Sequence, residues 1–75
     1  MTIKEREAKF LELAEKRVNK ALHQLRLVKN LSNKANYSYT EKHAKIIIKA
    51  LTQEVENVKK AFSSSSKSVE NFKLR

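Results

Sequence analysis

Lys42, Lys45 and Lys49 stand at the three- and four-residue spacing that puts side chains on one side of a helix, and Lys16, Lys20 and His23 repeat the arrangement earlier in the chain. Ammonium groups in such rows suit phosphates: each neutralises one backbone charge and releases a counterion, without reading a base. Between the rows lie Lys34, the amides of Asn30, Asn33 and Asn36, and the phenols of Tyr37 and Tyr39. Amides reach base edges and tyrosine rings stack on unpaired bases, which is equipment for single-stranded nucleic acid more than for duplex. The candidate nucleic-acid-binding set is therefore Lys16, Lys20, Lys34, Lys42, Lys45, Lys49, Asn33, Asn36, Tyr37 and Tyr39. A structural alternative stays open, in which the lysines form a solvated face, the asparagines make the turn and the tyrosines pack on helix ends.

Other chemistries lack their parts. The 75 residues contain no cysteine, no glycine and no aspartate, so a thiol nucleophile, a disulfide framework and a glycine-rich phosphate loop are all excluded. His23 lies among solvated lysines, and His43 falls in the first turn of a predicted helix, where the helix dipole disfavours a second positive charge. Neither has the neighbours that a metal site or a general base needs. The chain is expected not to be an enzyme, with no catalytic residues, no metal, no cofactor and no small-molecule substrate.

The charge is concentrated. From Lys16 to Lys49 nine basic residues face one acid, Glu41, giving +8 of the total +9. Glu5, Glu7, Glu12 and Glu15 precede this interval, and Glu54, Glu56 and Glu70 follow it. Such a balance speaks for an acidic partner rather than for a fold.

Helices must position these groups. Leu11, Val18 and Leu25 recur every seven residues, as do Ala14, Ala21 and Val28, with Leu22 beside them. Thr2 is a candidate cap, and a helix over about residues 3–31 would be about 43 Å long. Glu5 with Lys9 and Glu12 with Lys16 are spaced for favourable pairs along it. In the second half Ala44, Ile48, Leu51, Val55, Val58 and Phe62 alternate steps of four and three. Thr40 is the expected N-cap of a helix over about 40–62, with Tyr39 and Ala44 as a staple; Ser38 with Glu41 offers a second capping box. The connecting NLSNKANYSYT has neither glycine nor proline, and asparagines, which tolerate left-handed conformations and hydrogen-bond their own backbone, are expected to make the turn, closed by the Thr40 cap.

The expected fold class is all-α: an antiparallel helical hairpin over residues 1–62, with a serine-rich linker and tail, flexible or short-helical, over 63–75. Val69, Phe72 and Leu74 are the apolar residues of that tail. Leu13, Leu27 and Leu31 on the first helix and Ile46 on the second lie off the main stripes, as a candidate interaction surface. With so few residues, completion by self-association or by a larger protein partner is expected. The charged MTIKEREAKF and the absence of a long apolar run lead to the expectation of no signal peptide, no membrane partner and a cytoplasmic location.

The run LSNKANYSYTEKHAKIIIKAL, with KRVNKALHQLRLVKN before it and VKKAF after it, resembles small helical proteins carried by bacterial plasmids, integrative or cassette elements and phages. Their pattern has a helix ending in Leu-Ser-Asn-Lys/Arg, a Tyr-x-Tyr-Thr segment and a second amphipathic helix. The likeness covers about Arg17 to Phe62, and Val28-Lys29 departs from it where a leucine-glycine or isoleucine-glycine pair is expected. It implies a bacterial mobile-element setting and, more narrowly, a companion of a replication protein such as a polymerase or primase. Residues and resemblance together lead to the expectation of a basic accessory protein that binds nucleic acid mainly through phosphates, assisting mobile-element replication or transfer. The alternative is a non-enzymatic protein-protein interaction module that meets a larger replication or host protein through its basic and leucine faces.

Overall fold

The computed structural model describes residues 2–73, and the side chains of residues 2–64. The chain is all-α, with α1 over Ile3–Asn30 and α2 over Glu41–Lys73. Met1–Ser38 and Tyr39–Arg75 form two compact units, each built around one helix.

In the first unit Thr2 takes an extended conformation and caps α1. The Glu5 amide donates to Thr2 Oγ1 at 3.1 Å, while the Thr2 amide donates to Glu5 Oε1 at 2.8 Å. This closed box satisfies two backbone donors that the start of a helix would otherwise leave unpaired. Glu5, also spaced for a pair with Lys9, thus turns one carboxylate oxygen to the cap. The Thr2 amide, and then the Thr2 side chain, hold the Glu5 carboxyl below the usual glutamate value.

The helix winds down by tightening. Leu31, Ser32 and Asn33 amides reach back three residues, to the carbonyls of Val28, Lys29 and Asn30, at 3.0, 3.0 and 3.3 Å. Leu31 stays right-handed as the C-cap, so the helix ends at Asn30, one residue short of the expected end. Asn33 then organises the turn: its Oδ1 accepts from the Ala35 amide at 3.0 Å. Its carbonyl accepts from the amides of Asn36 and Tyr37 at 3.1 and 3.0 Å. No described residue has positive φ, so the asparagine turn is made by bonding to its own backbone, as expected, and not by left-handed conformation. A right-handed tightened turn followed by an Asx turn reverses nothing into the left-handed region, which costs roughly 1–2 kcal/mol for a residue with a Cβ.

In the second unit Thr40 is the cap of α2, as expected. Its Oγ1 accepts from the His43 amide at 3.2 Å, and its carbonyl accepts from the Ala44 amide at 3.1 Å. Tyr39 and Ala44, on either side of the cap, are both half-buried, the placement a hydrophobic staple requires. The helix does not end near Phe62. It continues through the serines to Lys73, which corrects the expected linker. Serine costs a helix only about 0.5 kcal/mol relative to alanine, and no glycine or proline is present to stop the helix. The seven-residue sequence register of Ile48, Val55 and Phe62 also falls next on Val69. Leu74, the last apolar residue of the expected tail, lies outside the described residues.

No described residue is buried. The α1 stripe is open at Leu11, Val18 and Leu25, which are 60%, 55% and 39% exposed. On α2 the same holds for Ile48, Val55 and Phe62. Among the described residues no helix is long and apolar enough to cross a membrane.

Candidate nucleic-acid interface

The second unit presents its lysines on a capped and therefore well-started helix. Thr40 fixes where the first turn begins, and the helical period then places Lys42, Lys45 and Lys49 along one side over about 10 Å of axis. All three side chains are exposed. A shallow, open recess beside them is lined by Lys45, Ile48, Lys49, Thr52, Gln53 and Glu56, with Ala44 at its near end. Gln53 donates to Asn57 Oδ1 at 3.1 Å and Asn57 donates to Glu54 Oε1 at 3.5 Å, so these amides are engaged along the helix.

The first unit carries Lys16 and Lys20, both exposed, with the exposed His23 one turn further on. Every basic side chain from Lys16 to Lys49 is exposed. On the two helices the side chains of Lys16, Arg17, Lys20, Arg26, Lys29, Lys42, Lys45 and Lys49 therefore all reach solvent.

The turn divides into structural and available groups. Asn33 is occupied as the organiser of the turn through both its carbonyl and its Oδ1, leaving its amide nitrogen as the group able to meet a base. Asn36 and Tyr37 are tied to it by their backbone amides, which leaves both side chains exposed, the Tyr37 ring by 50%. Tyr39 is half-buried at the cap, which suits the staple better than it suits stacking on a base. Lys34 sits at the tip of the turn with an exposed side chain. Of the off-stripe residues, Leu27, Leu31 and Ile46 are exposed and Leu13 is half-buried.

One role was missed by sequence reasoning. The Thr40 amide donates to His43 Nδ1 at 3.2 Å, so His43 closes the capping box of α2 in the place where glutamate or glutamine ordinarily stands. The bond requires Nδ1 to be unprotonated, with the ring proton on Nε2. The sequence signal was the Thr-x-x-His spacing; the competing Ser38 and Glu41 pair obscured it. Among the described residues no group of three or more histidines and carboxylates is placed to hold a metal ion. No family model matches the chain, and neither a curated protein nor a solved structure matches it.

Proposed function

We propose that this chain is a small basic accessory protein that binds single-stranded DNA or RNA, mainly through phosphate contacts. The observation that carries the reading is the interval from Lys16 to Lys49, where nine basic side chains face one acid and all nine are exposed. Lysine rows on regular helices follow a charged backbone without distinguishing bases. The exposed Tyr37 ring and the Asn36 amide supply stacking and hydrogen bonding at the turn, and these favour unpaired bases. The mobile-element setting, with a part in replication or transfer, rests on the resemblance of the LSNKANYSYT segment.

Sedimentation of the protein with a labelled single-stranded oligonucleotide, at low and at moderate salt, tests this directly. The oligonucleotide should co-sediment at low salt and be released as salt rises, because each neutralised phosphate releases counterion. No co-sedimentation at low salt contradicts the reading.

The exposure of Leu27, Leu31 and Ile46 favours a second reading, a protein-interaction module whose basic surface meets an acidic protein. Under it, Leu27→Asp with Leu31→Asp abolishes capture of the partner and leaves oligonucleotide binding absent or unaffected.

A further inference from the structure

We propose that a second copy of this chain covers the apolar stripe of α1, the two α1 helices pairing antiparallel about a twofold axis. Three independent observations point to this occupant.

Exposure is the first. Along the α1 seam Leu11, Val18, Leu22 and Leu25 are 60%, 55%, 42% and 39% exposed, an apolar row that a partner helix would cover.

Charge is the second. Over residues 3–15 α1 carries Glu5, Glu7, Glu12 and Glu15 against Lys4, Arg6 and Lys9. Over residues 16–30 it carries Lys16, Arg17, Lys20, Arg26 and Lys29 and no acid. An antiparallel copy of α1 lays the glutamate-bearing half of each helix beside the basic half of the other. Folding α2 back onto α1 instead sets those five bases beside residues 41–55, which carry Lys42, Lys45 and Lys49 against Glu41 and Glu54. Opposite charges along the flanks of paired helices select partner and direction, and like charges oppose pairing.

Side-chain size is the third. In an antiparallel pair centred between Val18 and Ala21, Leu11 faces Val28 of the partner subunit, Ala14 faces Leu25 of the partner subunit, and Val18 faces Ala21 of the partner subunit. Two of these three layers set a small residue against a larger one, the alternation that lets facing side chains interdigitate. A parallel pair would set Ala14 on Ala14 and Ala21 on Ala21 and leave those layers underfilled.

The chain has no native cysteine, so cross-linking reports direction cleanly. Leu11→Cys chains are mixed with Val28→Cys chains and oxidised, after far-UV circular dichroism has shown that both remain helical. The mixed disulfide should dominate over both homodisulfides, because facing layers bring unlike positions together. A statistical mixture, or homodisulfides in excess, overturns the proposal. Sedimentation equilibrium of the unmodified protein over a concentration series should give twice the chain mass, and a single-chain mass throughout overturns it as well. Ala21→Glu, in the seam, should reduce the mass to one chain. Leu27→Glu, off the seam, should leave it at two; loss of association in Leu27→Glu but not in Ala21→Glu assigns the interface to the other face and refutes the pairing. All of these read mass or covalent linkage without nucleic acid, so their failure is distinct from failure of the binding reading.

Discussion

Thr40 carries the start of α2, and its replacement by alanine gives a local effect that the geometry defines. The substitution removes the oxygen that accepts from the His43 amide at 3.2 Å and leaves the return bond from the Thr40 amide to His43 Nδ1 without its reciprocal partner. The Ala44 amide keeps its acceptor, since that is the Thr40 carbonyl. Loss of a threonine cap costs about 1 kcal/mol, which is about a fivefold increase in opening of the first turn. Amide hydrogen exchange followed by NMR reads this residue by residue. Protection at His43 should fall about fivefold relative to wild type, while the amide of Val55, about four turns into the helix, should be unchanged relative to wild type in the same sample. Ser38→Ala should leave both unchanged, because the box closes on Thr40. Unaltered protection at His43 in Thr40→Ala, or a loss in Ser38→Ala, would refute the capping geometry.

Further outcomes follow from the same local bonds. His43→Ala removes the acceptor of the Thr40 amide and should speed exchange at that amide, whereas His43→Glu should hold the cap; equal exchange at Thr40 in wild type and His43→Ala counts against it. Glu5 has its folded pKa lowered by the Thr2 bonds, so its contribution to α1 is present above the ordinary glutamate value and is lost as pH falls through the depressed one. Glu5→Gln should remove that acid-dependent loss of protection in the first turn, and its persistence would assign the effect elsewhere. Asn33→Ala deletes the acceptor of the Ala35 amide at an exposed site, a loss of about 0.5–1 kcal/mol. Exchange at Ala35 should accelerate in that variant, while Asn36 and Tyr37, bonded to the Asn33 carbonyl, should respond less.

The helices and their caps were readable because the signals are local and repeated. Leu11, Val18 and Leu25 fix the face of α1 by period alone, and Thr2 stands as a cap residue before it; the return bond from Glu5, read in sequence as a partner of Lys9, came with the structure. The end of α2 was not readable in the same way. Four successive serines resemble a linker by composition, yet serine is only a weak helix former, and without glycine or proline nothing there terminates the ladder. The turn was legible in part: asparagine bonding to its own backbone is what Asn33 does through Oδ1, while no described residue enters the left-handed region that asparagine also tolerates. His43 was legible only as a cap-adjacent residue, since an imidazole nitrogen can take the acceptor place of the usual carboxylate without resembling it in sequence. As for the candidate site, residue types and spacing indicated the lysine rows, and the structure added which turn groups are committed to the backbone. What covers the stripes is a property of two surfaces meeting, and no single segment encodes it.

The binding account turns on whether the lysine row of α2 touches phosphate. Lys42→Gln, Lys45→Gln and Lys49→Gln in one chain remove three exposed charges without introducing a helix breaker. Affinity for a single-stranded oligonucleotide, measured by fluorescence anisotropy across a salt series, should fall. The slope of log affinity against log salt should flatten by about 2, at about 0.7 for each lost phosphate contact. A triple variant with the wild-type affinity and the wild-type slope would contradict the assignment of this face to nucleic acid.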